Sequence, residues 1–320
     1  MKKRRILVCG ATGFIGRNIA EYLTSRNDLE VYGVYLKSEP LKEQRIKMIK
    51  ADLTVKNEVD RVVKGVDIII QAAATTSGSK DIVTKPYIHV TDNAVMNSLI
   101  FRSAYENNVS HIVFFSCSVM YQPSNTPLKE TDFNANHEIF PNYFGVGWTK
   151  VYIEKMCEFY SRLGHTKYTV IRHSNIYGPH DKFDLERSHV FGATMTKVMT
   201  ANNGKIIVWG NGEEERDLLY VSDLADFVET VVDRQESRFA LFNIGYNSAI
   251  SIDNLVKKII ACSGKDIKIE YDLSKPSIKT KMCLDTTKAR TSFGWVPRVS
   301  LDEGIRKMME WYKINILRGE

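Results

Sequence analysis

Strand-length apolar runs alternate with helical stretches through the first half of the chain, and this alternation limits the possible folds more than any other feature. The runs RRILVCG, EVYGVYL, VDIIIQAAA and HIVFFSCS are separated by helix-like stretches such as FIGRNIAEYLTSR and NAVMNSLIFRSAYENN. Such alternation is typical of a parallel sheet with helices on both faces, and near-continuous apolar strands indicate burial on both sides. The sequence therefore predicts an α/β fold with a doubly wound parallel sheet.

Three glycines follow the first apolar run, where the first helix begins. Gly10, Gly13 and Gly16 lie in CGATGFIG. One such glycine permits a tight turn, another lets the backbone approach a pyrophosphate, and the third allows close helix packing, while helix N–H groups face the phosphates. Glycines at this place also occur for steric reasons alone, but the strand–turn–helix context favours a Rossmann-like dinucleotide site.

The alternation loosens from about residue 181. An isolated run, KIIVWG, is followed by mixed helices and short strands. We predict an NAD(P)-binding domain over residues 1–180 and a smaller substrate-binding lobe over residues 181–320, interleaved with the last strands of the sheet.

Composition and charge narrow the class of protein. Of 320 residues, 43% are hydrophobic and 26% charged, as is usual for a globular protein. A formal charge of +6 suits anionic ligands, but Lys and Arg are scattered, so we expect no nucleic-acid binding. Five widely spaced cysteines without a Cys-x-x-Cys pair indicate neither disulfides nor a metal site, which fits the cytoplasm. No run approaches the roughly 20 apolar residues that cross a bilayer.

The end of the second apolar run bears on the choice of cofactor. A carboxylate there would bond the 2′-hydroxyl of NAD, but Tyr35 and Lys37 occupy the region. Lys37 can instead meet a 2′-phosphate, so we favour NADP over NAD; a solvated lysine is the competing interpretation. Asp52 and Leu53 suit a contact with the adenine edge, although an acidic residue here is equally often a cap.

Several motifs together resemble the extended short-chain dehydrogenase/reductase family of nucleotide-sugar epimerases, dehydratases and reductases. They are GATGFIG, ADL, AAA, NIYGP and Lys150. The resemblance covers nearly the whole chain and implies an NADP or NAD cofactor and a nucleoside-diphosphate sugar substrate. It implies cofactor contacts from Gly10, Thr12, Gly13, Phe14, Ile15, Asp52, Leu53, Ala72, Ala73 and Lys150.

The C-terminal half resembles the GDP-L-fucose synthase branch of that family, which points to a GDP-sugar. The motifs are NIYGPHDKFD, SHV, IVWGNG, ERDLLYVSDLADF and SKPSIKTKMCLDTTKARTSFGW. Carried onto this sequence, the resemblance implies substrate contacts from Ser118, Asn175, His189, Val190, Trp209, Arg216 and Lys275.

Alternative interpretations stand beside these substrate contacts. Arg216 can grip a diphosphate with its planar fork or pair with a neighbouring glutamate at the surface, and the motif favours the phosphate. Trp209 is either a core residue or a wall for the guanine base, and we favour the core. For Lys275 the alternative to a substrate contact is a solvated surface lysine. Asn175 follows a strand at the edge of the sheet where ligands of such folds bind.

The catalytic motif of the family is incomplete in this chain. In the family a tyrosine exchanges a proton with the sugar oxygen, and a lysine four residues later holds the nicotinamide ribose. Lys150 in PNYFGVGWTK matches the lysine, but the tyrosine position is Val146, which neither donates nor accepts a proton. The serine position is Cys117. Of the cysteine and histidine used for epimerisation, His189 is present but the cysteine position is Val119.

Three side chains are candidates to replace the tyrosine, and a water relay to Lys150 is a fourth option. Tyr143 would share a face with Val146 if the helix already ran there, but Pro141 indicates a helix start. Cys117 can act if its pKa is lowered, or it is simply a small buried residue. His189 can act near neutral pH or be structural.

Two functional hypotheses follow. The first is an enzyme that modifies a nucleotide sugar with an atypical proton-transfer residue, supported by the retained binding motifs. The second is a catalytically silent NAD(P)-binding sensor or partner subunit, favoured by the loss of both tyrosine and serine. The resemblance also implies a homodimer formed through helices that include the Lys150 helix.

Overall fold

The computed structural model describes residues 2–75, 85–185, 188–274 and 281–317. Within them the strands are β1 (Arg4–Cys9), β2 (Leu29–Tyr35), β3 (Ile46–Lys50), β4 (Ile68–Gln71), β5 (His111–Phe115), β6 (Lys167–His173), β7 (Asn175–Tyr177), β8 (Lys205–Trp209), β9 (Glu215–Tyr220), β10 (Phe239–Ile244), β11 (Ala249–Ser251), β12 (Lys268–Asp272) and β13 (Lys281–Met282).

The helices of the described residues alternate with these strands. They are α1 (Phe14–Leu23), α2 (Lys56–Val63), α3 (Thr91–Glu106), α4 (Phe144–Leu163), α5 (Val190–Thr200), α6 (Val221–Arg234), α7 (Ile252–Ser263), α8 (Thr287–Phe293) and α9 (Leu301–Tyr312). Short 3-10 turns cover Pro86–His89, Glu130–Asp132 and Pro141–Tyr143, and a π-helical turn covers Lys313–Leu317. None of the described helices has the length and apolarity that a membrane crossing requires.

Seven parallel strands form the central sheet in the order β10-β6-β5-β4-β1-β2-β3. The chain builds outward from β1 to β3 and then returns to the other side of β1 with β4, so its direction switches between β1 and β4. Ligands of doubly wound sheets bind outside the carboxyl ends of the strands at such a switch point. The predicted Rossmann-like fold is confirmed.

Helices cover both faces of this sheet. In β1, Ile6 and Val8 pack in an apolar cluster with residues of α1 and α6. Their neighbours Leu7 and Cys9 pack on the opposite face with residues of α2, α3 and α4. Every residue of β4 and β5 is buried. Burial on both faces explains why these strands appear in the sequence as unbroken apolar runs.

The second half of the chain completes the sheet and also builds a lobe beyond it. β10 pairs with β6, and α6 packs against α1. In the lobe, β9 pairs in parallel with β7 and β13 and antiparallel with β11, while β8 and β12 form a parallel pair. A separate apolar cluster with residues of α5, α7 and α9 forms its core. The domain boundary at residue 180 stays a prediction, since β7 lies before it and pairs with the lobe.

A buried ion pair joins β6 to α4. Arg172 Nη2 lies 2.6 Å from Glu154 Oε2, and both side chains are 5% exposed. Arg172 Nη1 also donates to the Tyr121 hydroxyl at 2.8 Å, which donates to Asn243 Oδ1 of β10 at 2.8 Å. The Ser116 hydroxyl, directly after β5, donates to Glu154 Oε1. One network therefore connects α4 to three neighbouring strands of the sheet.

We predict that Glu154→Gln destabilises the protein by about 3–5 kcal/mol, because it leaves the Arg172 guanidinium charged and without its counter-ion in the interior. Urea unfolding followed by circular dichroism measures the change. The matched control is Glu158→Gln on the same helix, whose carboxylate pairs with Lys155 at 2.8 Å on the exposed surface and which should cost less than about 1 kcal/mol. Equal losses for the two variants would contradict the prediction.

Candidate functional site

Two glycines have no room for a side chain, one in the loop between β1 and α1 and the other in the first turn of α1. Gly10 has φ +74°, and a Cβ there would lie 2.7 Å from the Cα of Ala73, which follows β4. A Cβ at Gly16 would lie 2.2 Å from the Gly10 carbonyl oxygen. The backbones after β1 and β4 therefore touch at the switch point of the sheet. Ala72, next to Ala73, donates its N–H to the Cys9 carbonyl at 3.2 Å.

The start of α1 is suited to hold a phosphate. Gly13 caps the helix without a side-chain hydrogen bond, and no acidic residue lies in the first turn. The helix dipole and the first N–H groups thus favour an anion there. Thr12 is half-buried in the same turn, and Phe14 and Ile15 pack partly against the core. These features fit the pyrophosphate of a dinucleotide.

The adenosine side of the predicted cofactor site contains one lysine and one aspartate. Lys37 is exposed just beyond β2. Asp52 accepts hydrogen bonds from the Thr54 hydroxyl at 2.7 Å and from the Thr54 N–H at 2.9 Å. These bonds, and then the charge of Lys37, hold the pKa of Asp52 below its usual range. Leu53 is buried. Asp52 thus shapes the turn before α2, and its contact with adenine stays a prediction.

Lys150 and Val146 lie on one face of α4, one turn apart. Lys150 Nζ donates to the Phe115 carbonyl at the end of β5 at 2.7 Å. Burial lowers the pKa of Lys150, although the side chain keeps some accessible surface. Val146 is half-buried. The lysine is therefore anchored at the carboxyl edge of the sheet, and an apolar side chain occupies the turn before it.

Tyr143 and Cys117 lie against the same small apolar cluster beside this lysine. Tyr143 caps α4 after the 3-10 turn that begins at Pro141, so the helix starts beyond it, as Pro141 indicated. Burial raises the pKa of the Tyr143 phenol, against the opposing charge of Arg216. Burial also raises the pKa of the Cys117 thiol, against the opposing charge of Lys150. Both groups are thus protonated at neutral pH and can donate hydrogen bonds.

Arg216 faces this group from the C-terminal lobe. Its side chain is half-buried in β9 and donates through Nη1 to the Glu215 carbonyl at 2.8 Å. Burial lowers its pKa, opposed by Tyr143 and Glu214. The half-buried guanidinium is therefore electrostatically coupled to Tyr143, and its contact with a diphosphate stays a prediction. We call the region around Lys150, Tyr143 and Arg216 the cleft.

The remaining predicted substrate residues lie on several elements of the structure, and one of them lies outside the described residues. Ser118 is buried after β5, and Asn175 begins β7. His189 caps α5, with Val190 as its first helical residue, and burial followed by the charge of Lys182 lowers the pKa of His189. Lys275 lies outside the described residues.

Trp209 is not a core residue, so that interpretation is wrong. It is 49% exposed. Exposed and buried residues alternate along β8, and Trp209 falls on the solvent side together with Lys205 and Ile207. The Lys197 ammonium lies 5.7 Å from its ring centroid. An apolar strand of a small two-stranded sheet is covered on one face only, which the run KIIVWG alone does not reveal.

Sequence reasoning missed one residue of the cleft, His173. It ends β6, directly after Arg172, and its ring packs edge-on to Phe115 with centroids 6.3 Å apart. Lys150 and His189 both act electrostatically on it. Its position at the carboxyl end of a predicted parallel strand, two residues before Asn175, was the signal that could have identified it.

Comparison with known proteins agrees with this geometry. The model of the NAD dependent epimerase/dehydratase family matches residues 6–245. The chain belongs to this family. It is 26% identical to GDP-L-colitose synthase of Yersinia pseudotuberculosis, over 96% of this chain and 97% of that protein. It is 26% identical to GDP-L-fucose synthase of Escherichia coli K12, over 98% of each. The crystal structure of UDP-glucose 4-epimerase with UDP-glucose from Thermotoga maritima superposes with a TM-score of 0.86 at 25% identity, over 98% of this chain and 99% of that one.

Membership of this family confirms three predictions. The chain is identified as an extended short-chain dehydrogenase/reductase, it is an enzyme of the nucleotide-sugar epimerase, dehydratase and reductase group, and its cofactor is NADP or NAD. The individual site residues, the homodimer and the cytoplasmic location stay predictions.

We predict that Gly10→Ala abolishes dinucleotide binding, because the new methyl group would collide with the Ala73 backbone. Quenching of intrinsic fluorescence by NADPH measures binding. The matched control is Gly264→Ala, where φ is +68° but a Cβ would meet nothing within 4 Å. That variant should show only the strain of a left-handed alanine, about 1–2 kcal/mol, and bind NADPH normally. Normal binding by Gly10→Ala would contradict the prediction.

Proposed function

We propose that the protein catalyses an NAD(P)-dependent reaction of the epimerase, dehydratase or 4-keto reductase type on a nucleoside-diphosphate sugar, with a proton-transfer residue other than the usual tyrosine. The observation that carries the proposal is the grouping of Lys150, Cys117 and Tyr143 with Arg216 at the carboxyl edge of the sheet that also carries the glycine loop. GDP-sugars are the first class to test, because relatives over the full length are synthases of GDP-L-colitose and GDP-L-fucose.

The residues divide into a cofactor group and a substrate group. The glycine loop holds the pyrophosphate, and Lys150 holds the nicotinamide ribose. A nicotinamide cofactor held there would supply hydride transfer to or from a sugar carbon. Arg216 binds the diphosphate of the sugar nucleotide, for which its enclosed guanidinium is suited.

Tyr143 acts in this proposal as a hydrogen-bond donor to the sugar oxygen. Its phenol is protonated at neutral pH because burial raises its pKa. A fixed donor aimed at an oxygen that gains negative charge stabilises the transition state. Cys117 is a second, weaker donor of the same kind.

The catalytically silent alternative is favoured by one observation, the apolar Val146 in the turn before Lys150. The two hypotheses separate in a panel of GDP-, UDP-, dTDP- and CDP-sugars, each as the parent and the 4-keto form, incubated with NADPH or NADP and followed by mass spectrometry. Binding of both ligands by calorimetry without conversion of any sugar would establish the silent alternative.

Within that assay we predict that Tyr143→Phe lowers kcat by about 10²–10³-fold, the usual effect of removing one donor to a developing oxyanion. KM for the sugar should change little, since the phenyl ring keeps its packing. Tyr152→Phe is the matched control, because Tyr152 lies on the same helix and is 52% exposed. Unchanged turnover by Tyr143→Phe would eliminate the phenol from the reaction.

We predict that Lys37→Glu weakens NADPH binding about 10–100-fold, the worth of a charge-assisted bond of ~1.5–3 kcal/mol to the 2′-phosphate. NADH binding should hardly change, because NADH lacks that phosphate. Fluorescence titration with each nucleotide measures both affinities. Lys42→Glu, an exposed lysine of the same loop, is the control for the general effect of charge. Equal changes in the affinities for NADPH and NADH would show that Lys37 does not bind the 2′-phosphate.

A further inference from the structure

His173 is fixed in the cleft by contacts on three sides. As the last residue of β6 it is in register with Ile244 of β10. Its imidazole packs against the Phe115 ring at an interplanar angle of 61°. The carbonyl of the same Phe115 accepts the hydrogen bond from Lys150 Nζ. The histidine and the lysine are therefore held by one residue at the end of β5.

The hydrogen bonding of His173 determines its tautomer. Its Nδ1 lies 2.7 Å from the Ser174 carbonyl oxygen. A carbonyl oxygen only accepts, so Nδ1 carries the hydrogen, and in the neutral ring Nε2 carries the lone pair. Nε2 has no hydrogen-bond partner among the described residues. It is also not among their fully buried polar atoms that lack a partner, so it keeps some accessible surface. The structure thus presents an accessible proton acceptor in the cleft.

The surroundings of His173 keep this acceptor free of a proton. Burial lowers its pKa to about 4, and the charges of Lys150 and His189 act in the same direction, against the Ser174 carbonyl. At neutral pH the imidazole is therefore neutral. We expect the negative charge of a bound diphosphate to raise this pKa, which would make the imidazole a more effective general base.

The other candidates do not combine a proton acceptor with a place beside Phe115, the residue that anchors Lys150. Tyr143 and Cys117 have raised pKa values and are protonated, so they donate rather than accept. The pKa of His189 is also lowered, by burial and then by the charge of Lys182, but its ring lies at the cap of α5 and Lys150 is not among the charges that act on it. Val146 has no polar atom.

We propose that Nε2 of His173 is the group that takes the proton from the reacting sugar hydroxyl and returns it in the reverse reaction. This inference rests on the proposed function. The O–H bond would break as the Nε2–H bond forms, and the O–H electron pair would become the second carbon–oxygen bond. An oxidised nicotinamide cofactor held by the cofactor group would be the acceptor of the hydride that leaves the carbon. The imidazolium then releases its proton to water in the cleft.

The first test is the kinetics of His173→Asn. The asparagine amide can still donate to the Ser174 carbonyl, but it places no lone pair at the position of Nε2. We expect kcat at neutral pH to fall about 10²–10⁴-fold, with sugar KM little changed. His165→Asn is the matched control, because His165 is exposed and precedes the opposite end of β6.

The pH profile separates a catalytic from a merely structural role. For oxidation of the sugar, wild-type kcat/KM should be level at neutral pH and fall as the pH drops towards the pKa of about 4, because protonated Nε2 cannot accept a proton. His173→Asn should lose this acidic limb, whereas Tyr143→Phe should keep it. Circular dichroism over the same range checks that each variant stays folded.

A second readout needs no cofactor. In ¹⁵N-histidine NMR spectra of the free protein, His173 should show a protonated Nδ1 and a bare Nε2, and addition of GDP-mannose or UDP-glucose should shift Nε2 and raise its pKa. A protonated Nε2 with a bare Nδ1 would overturn the inference. If His173→Asn keeps the wild-type rate and pH profile, the inference about His173 is wrong but the proposed function stands. If the wild-type protein turns over no sugar, both the inference about His173 and the proposed function are wrong.

Discussion

The Arg172–Glu154 ion pair is the interaction on which the geometry of the cleft depends. Glu154 lies one helical turn after Lys150, and Arg172 directly precedes His173. The pair therefore sets the distance between the helix that carries the lysine and the strand that carries the histidine. Two charges in the interior are costly unless hydrogen bonds satisfy them. Here Tyr121 and Ser116 supply these bonds, so the residues that stabilise the pair also fix the loop after β5.

The cofactor half of the site depends on a steric constraint rather than on charge. Gly16 in the first turn of α1 packs against the Gly10 carbonyl, and the loops after β1 and β4 approach so closely that Gly10 leaves no space for a Cβ. This contact lies at the point where the sheet changes direction, which is where a parallel sheet opens a crevice. The buried ion pair therefore fixes the part of the site that contains Lys150 and His173, and the close backbone contact fixes the cofactor part.

The sequence was sufficient for features that depend on local patterns. The buried strands and the glycine turn were predictable because burial on both faces and a left-handed turn each require particular residues nearby in the chain. Trp209 was interpreted wrongly because the exposed face of β8 depends on which strands cover it. His173 and the Arg172–Glu154 pair were missed for a related reason. Arg172 and Glu154 are 18 residues apart along the chain, and the ring of His173 packs on Phe115 of a different strand, while a single histidine at a strand end has no periodic signal.

The cleft contains titratable groups whose pKa values have moved in opposite directions. Burial raises the pKa values of Tyr143 and Cys117, so these groups stay protonated, while burial and neighbouring charge lower the pKa of His173, which stays unprotonated. Environments that separate the protonation states of neighbouring groups are how one site holds an acid and a base at the same pH. In the usual motif one tyrosine serves both purposes with the help of its lysine. Val146 takes the place of that tyrosine, so in this cleft the protonated groups and the unprotonated group lie on different residues.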